Sequence, residues 1–166
     1  MIKRLLQFVF LVALTIGPLS ARAQIAFVMH IPNVNGTSTV TNHINDIDIT
    51  TFSWGVAVPY SVNGQAGQTS FSDITVTKPL DVTSPTLASK CANGVNLGTV
   101  TLYAVRLGGT RPGDFYKVSL SNCSISSVSV SAGGTTPSES ITLHFPTPIQ
   151  WTYVPLTGAN VVTQYP

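Results

Sequence analysis

The sequence predicts an all-β domain with one short helix and strongly curved, barrel-like sheets, and three observations carry that expectation. Val, Ile, Thr, Phe and Tyr recur in short runs separated by Gly, Pro and Asn clusters, the pattern of strands and turns. The hydrophobic alternation changes phase within the run around residue 50 and again near residue 72, as bulged or sheet-crossing strands require. Only the segment from Ser84 to Gly94 carries helix signals at both ends.

The chain opens with Lys3 and Arg4, then an apolar run from Leu5 to Ile16, then small residues ending Ala21-Arg22-Ala23. That order is the pattern of a cleavable secretory signal peptide, so residues 1–23 are expected to be removed before Gln24. Gly17-Pro18 interrupts the apolar run after about twelve residues, short of the roughly 20 that a spanning helix needs. Residues 24–166 are then expected to form one domain, periplasmic or secreted, with no stable membrane span.

Strands are expected near 25–31, 44–58, 70–78, 98–107, 115–131, 139–145 and 149–154. In the second run Phe52, Trp54, Val56 and Val58 share one face and Thr51, Ser53 and Gly55 the other, whereas Ile47 and Ile49 hold the opposite parity. A similar slip separates Phe71 from Ile74 and Val76. Tyr116, Val118, Leu120, Val128 and Val130 form an even-numbered inward set. Ile141, Leu143, Phe145, Ile149, Trp151 and Tyr153 form an odd-numbered one. Gly133-Gly134 and Pro137 mark the loop between them, and Pro59 to Thr69, rich in Gly, Asn and Gln, is expected to be a mobile loop.

In the helical segment Ser84 is placed to cap the free amides, and Pro85 suits the first helical position. Asn93 or Gly94 is placed to close the C-terminus after about two turns.

Charged residues make up 8% of the chain, about a third of the usual share, while Ser, Thr, Asn and Gly are abundant. Without the signal peptide, five basic residues face six acidic ones, so the net charge is −1 and no nucleic-acid partner is indicated. A neutral polar surface suits a secreted protein, and also a subunit whose faces are covered in an assembly.

The inventory for catalysis is thin. His30, His43 and His144 lack the helical spacing of zinc proteases and any Cys-x-x-Cys partner, so each is expected to be a solvated or hydrogen-bonded structural histidine. Asp46 and Asp48 flank Ile47 without the twelve-residue calcium loop, which leaves a solvated strand edge as their expected setting. No Gly-x-Ser-x-Gly elbow and no phosphate-cradling glycine loop occurs. The expectation is a non-enzyme with no catalytic, cofactor-binding or metal-binding residues and no cofactor. Cys91 and Cys123 are the only cysteines; export would permit a disulfide between them, and two unpaired thiols are the open alternative.

Several segments stand in order along the chain: Ile31-Pro32-Asn33-Val34-Asn35-Gly36-Thr37-Ser38, Phe52-Ser53-Trp54-Gly55-Val56, and Ser72 to Asp81 running into Ser84-Pro85. Cys91-Ala92-Asn93-Gly94, Thr99 to Tyr103, Tyr116 to Leu120, Ile125 to Ser129, Glu139 to Leu143, and Trp151-Thr152-Tyr153 follow. Together they resemble the Hcp family, the haemolysin-coregulated tube proteins of type VI secretion systems.

The resemblance covers nearly all of residues 24–166. It implies an Hcp-like barrel of two curved antiparallel sheets with one short helix, and a homohexameric ring of like subunits that stacks into a tube. It further implies spike, sheath and effector proteins of the type VI machine as partners, with no covalent chemistry performed by the subunit. The strand of Thr51 and Ser53 corresponds to one that contributes to the ring's inner wall, which makes both lumen candidates. Unlike this chain, tube proteins of that family have no signal peptide, so the alternative is an exported Hcp-like binding module that does not form a tube.

Overall fold

Alternation of β-branched residues with Ser and Thr gives the chain eleven strands and one helix among the described residues, which are 24–133, 136–146 and 148–165 of this computed structural model. The expected signal peptide, 1–23, lies outside the described residues. The elements are β1 (Ile25–His30), β2 (Ile47–Ile49), β3 (Thr51–Ser53), β4 (Val56–Ala57), β5 (Ser70–Phe71), β6 (Ile74–Pro79), α1 (Ser84–Ala92), β7 (Asn96–Arg106), β8 (Gly113–Ser131), β9 (Ser138–His144), β10 (Ile149–Tyr153) and β11 (Val161–Tyr165). Nine strands form one antiparallel sheet with the order β2-β1-β7-β8-β9-β6-β3; β10 pairs with β8 and β11 with β10, while β4 and β5 pair separately.

The two edges of that order, β2 and β3, belong to one stretch of chain. Only Thr50 lies between them, and its N–H donates to the Thr77 carbonyl at 2.7 Å. The chain leaves the β1 edge and joins the β6 edge in a single step, so the sheet must curl round its core. This step is the phase change seen in the sequence: Ile47 and Ile49 are buried from the β1 side, and Phe52 packs inward from the β6 side. The expected single strand 44–58 is therefore three short ones, because a strand cannot keep one ladder while changing neighbours.

Met29, Ile74, Val76, Leu102, Val118, Leu120, Ile141, Leu143 and Ile149 are wholly sealed inside the curl. The helix packs against β8 and buries Leu87, which contributes about 2 kcal/mol of apolar burial. Its N-terminus differs from expectation. The Ser84 hydroxyl does not cap helix amides; it accepts the Asp81 N–H at 3.1 Å and donates to Glu139 Oε1 at 2.8 Å. At the other end Gly94, at φ +61°, turns its N–H back to the Cys91 carbonyl at 3.1 Å, as the sequence suggested.

Strand β8 runs 19 residues and serves β7, β9 and β10 in turn. The even set Val118 and Leu120 gives way to odd Cys123 and Ile125, and Val128 returns to even numbering. Asn122, at φ +50°, makes the first slip, and the register shift between Ile125 and Ser127 makes the second. The single inward set expected along this strand was thus incomplete. Three of the expected inward residues are in fact exposed: Val56, Val130 and Tyr153.

Residues 59–69 connect β4 to β5 as a loop held by local contacts: Tyr60 bridges Ala66, Gly67 N–H donates to Pro59 O, and Ser61 N–H to Gln65 O. Strand β11 was not expected at all, since four of its five residues are exposed and show no inward alternation.

Candidate functional site

The outward faces of β3, β6, β9 and β8 carry two rows of hydroxyls, set by register. Thr51, Thr77, Ser140 and Ser129 form one row; Ser53, Thr75, Thr142 and Ser127 form the next. Each alternates with a buried or half-buried inward neighbour, among them Phe52, Val76, Ile141 and Val128, so the pleat alone puts all eight on one surface. Ser127 donates to the Thr142 hydroxyl at 2.8 Å. No charged side chain occupies either row. Thr51 and Ser53, the two residues singled out from the sequence, are exposed at the open edge of this face. The other six were legible as Thr-x-Thr, Ser-x-Thr and Ser-x-Ser alternation, but only strand order reveals that they line up.

At the rim of the same face, His144 Nδ1 donates to Asp73 Oδ1 at 2.9 Å, and Ser126 Oγ donates to Asp73 Oδ2 at 3.1 Å. The serine meets the carboxylate and not the imidazole, so nothing here activates it as a nucleophile. On the inner side of β6, Lys78 is sealed from solvent, with Nζ 2.8 Å from Glu139 Oε1, 2.9 Å from Asp81 Oδ1 and 2.8 Å from the Pro79 carbonyl. Burial tends to raise the Asp81 pKa, but hydrogen bonds from Lys78 and Thr83 outweigh it and hold the carboxyl below its ordinary value. The cluster ties β6, the approach to α1, and β9 together.

A second, half-buried cluster lies at the other end of the sheet. His43 Nδ1 is 2.8 Å from Asp46 Oδ2, His43 Nε2 is 2.8 Å from Asp114 Oδ1, and His30 Nδ1 is 2.7 Å from Asp46 Oδ1. The His43 ring also packs 4.4 Å from that of Tyr103. Asp46 is therefore buried and doubly paired rather than a solvated edge residue, because the chain folds back and presents both histidines to it; Asp48 is exposed as expected. Among the described residues no group of three His, Cys, Asp or Glu side chains is arranged to hold a metal ion.

Both cysteines are free thiols in this structure. Cys123 belongs to the core cluster, and Cys91, on α1, packs half-buried against the same cluster. Burial, reinforced by Asp73, pushes the Cys123 pKa up to about 12, so it is a neutral thiol across the physiological range.

The family model described as type VI secretion system effector, Hcp, matches residues 28–153. The chain belongs to the Hcp family. That span includes all of β2 to β10 and α1, and both rows of the hydroxyl face. Among solved structures, one described as a type six secretion system protein is 24% identical and superposes with a TM-score of 0.76, covering 83% of this chain and 92% of its own. A type VI secretion system effector from Yersinia pestis is 24% identical, with a TM-score of 0.71 and coverage of 84% and 98%. Hcp1 from Salmonella typhimurium is 19% identical, with a TM-score of 0.72 and coverage of 85% and 93%. At these identities the superpositions show the Hcp fold, and the family model shows membership. No curated protein matches the chain.

Hcp proteins are secreted through the type VI system, and among the described residues no helix is long and apolar enough to cross a membrane.

Proposed function

We propose that this Hcp-family chain is a structural subunit, not an enzyme, that assembles as a homohexameric ring able to stack into a tube, with the hydroxyl face as the inner wall. The observation that carries the reading is the pair of uncharged rows running from Thr51 and Ser53 across β6 and β9 to β8. A channel wall of Ser and Thr stays wetted through hydroxyl hydrogen bonds. It presents no fixed charge to trap cargo of the opposite sign. In a six-fold ring, one patch of each copy meets a different patch of the next, and closure comes from the rotation between them. Spike, sheath and effector proteins of the type VI machine are the partners this role entails.

The test is particle mass by light scattering with negative-stain imaging of the protein purified from cells. Rings with a mass near six chains are expected. A strictly monomeric protein at high concentration overturns the reading.

The signal-peptide pattern of residues 1–23 favours a second reading, an exported Hcp-like binding module of residues 24–166 that works without a tube. Amino-terminal sequencing of the protein recovered from cells separates the two. Gln24 as the first residue supports general export, and an intact Met1 supports the tube role.

A further inference from the structure

The segment joining β1 to β2 folds back on itself. Gly36 N–H donates to Asn45 O at 2.7 Å, Ser38 N–H to Asp46 O at 3.0 Å, and Asn45 N–H to Ser38 O at 3.0 Å. Gly36 lies so close to the returning chain that an added Cβ would sit 2.8 Å from the Asp46 carbonyl carbon. From the tip of this loop His43 reaches across to Asp114, at the start of β8, while its other ring nitrogen faces Asp46 in its own loop.

His43 is 5% exposed, and both of its nitrogens lie at hydrogen-bond distance from carboxylate oxygens. A neutral imidazole has one N–H and one bare lone pair, so one of the two contacts would set a lone pair against an anionic oxygen. Only the imidazolium donates to both. We propose that His43 is a proton-operated latch: as the imidazolium it ties the 36–46 loop to the β7–β8 hairpin, and loss of the proton releases the loop.

The groups that face it come from four elements. They are Asp46 on the loop, Asp114 on β8, Tyr103 on β7, and His30 on β1, which bonds the far oxygen of Asp46. Burial on its own would lower the His43 pKa; hydrogen bonds to Asp114 and Asp46 outweigh it and set the value above the ordinary 6.5. The direction follows from that sign. The latch holds below the elevated value and opens as pH rises through it, leaving the two carboxylates without the cation between them.

Release acts on a specific place. A cleft of about 270 Å³ lies between Val40 and Asn42 on the loop side and Leu107 and Pro112 on the hairpin side, the two segments the latch joins. Opening widens this cleft, so access to it follows the pH of the compartment the protein occupies.

The experiment follows the full chain labelled with ¹⁵N-histidine from acidic to alkaline pH, together with amide exchange at Ser38, Asn45 and Asp46. Both His43 nitrogens are expected to carry protons below a midpoint that lies above 6.5. Protection of the three amides, relative to Leu102 and Ile141, should fall at least about tenfold through that midpoint. Asp114→Asn, at a residue 41% exposed, should lower the midpoint and move loop release with it. His43→Gln should make loop protection independent of pH. A His43 midpoint below the ordinary 6.5 overturns the proposal, and so does protection that is unchanged through the midpoint; if His43→Gln does not fold, Asp114→Asn decides.

Discussion

Lys78 and Glu139 stand directly opposite each other in the β6–β9 ladder, with Nζ 2.8 Å from Oε1 and 0% and 1% of their surfaces exposed. The Glu139 Oε2 atom is buried without a hydrogen-bond partner, so the carboxylate depends heavily on the ammonium. Lys78→Met should destabilise the protein by about 3–5 kcal/mol, because it strands that charge in the core. Lys78→Met with Glu139→Leu should be milder than the single change, since the sealed Glu139 charge is gone and only Asp81, still held by Thr83, loses its cation. Urea unfolding of the two variants against the parent measures both.

Asp81 accepts from Lys78 and from Thr83, and its carboxyl is held below the ordinary value near 3.8. A depressed carboxylate stabilises the fold fully above its unfolded pKa, and the contribution is lost as pH falls through the folded one. Stability measured by urea midpoint should therefore hold to about pH 4 and then drop. Asp81→Asn should start lower and lose less over the same acid range.

Asn122 is exposed and sits at φ +50°, where β8 changes phase between Leu120 and Cys123. Asn122→Gly should change stability little, since glycine adopts this backbone freely. Asn122→Val should cost about 1–2 kcal/mol, because a β-branched residue is strained there. Denaturant midpoints for the pair isolate the backbone effect, as the exposed side chain contributes little packing.

The Cys123 thiol, pushed up to about 12, should resist alkylation in the native protein at neutral pH and react promptly after denaturation. Mass spectrometry of native and denatured labelling reads the contrast directly. The same thiol count on exported protein tests the Cys91–Cys123 bridge that export would permit: no free thiol in the denatured, unreduced chain supports it, and two end it.

Much of the fold was legible because burial writes itself into alternation. The parity slip between Ile49 and Phe52 announced a strand that changes neighbours, and Ser84-Pro85 with Gly94 announced the helix. Where both faces of a segment are exposed, as in β11, alternation disappears and the strand was missed; its place is set by the β10 ladder. Both slips in β8 were hidden because Ser121, Asn122, Ser126 and Ser127, which flank Cys123 and Ile125, commit to neither face.

The candidate functional surface was half visible for the same reason. Ser53 and Thr51 could be assigned to the outward side of their strand, and Thr75, Thr77, Ser140 and Thr142 to the outward sides of theirs. No local pattern says which strands are neighbours. The buried clusters were invisible as such: Lys78 lies 61 residues from Glu139 and His43 lies 71 from Asp114 along the chain.

What the sequence by itself determined is the strand-rich class, the one helix among the described residues, the family resemblance and the outward placement of Thr51 and Ser53, all of which depend on local periodicity or on ordered motifs. The tertiary structure alone decided that two rows of hydroxyls form one continuous face and that His43 sits between two carboxylates. The physical reason is that side-chain direction is set by the backbone within a few residues, whereas proximity across a sheet is set by strand order and register, which emerge only when the whole core is packed.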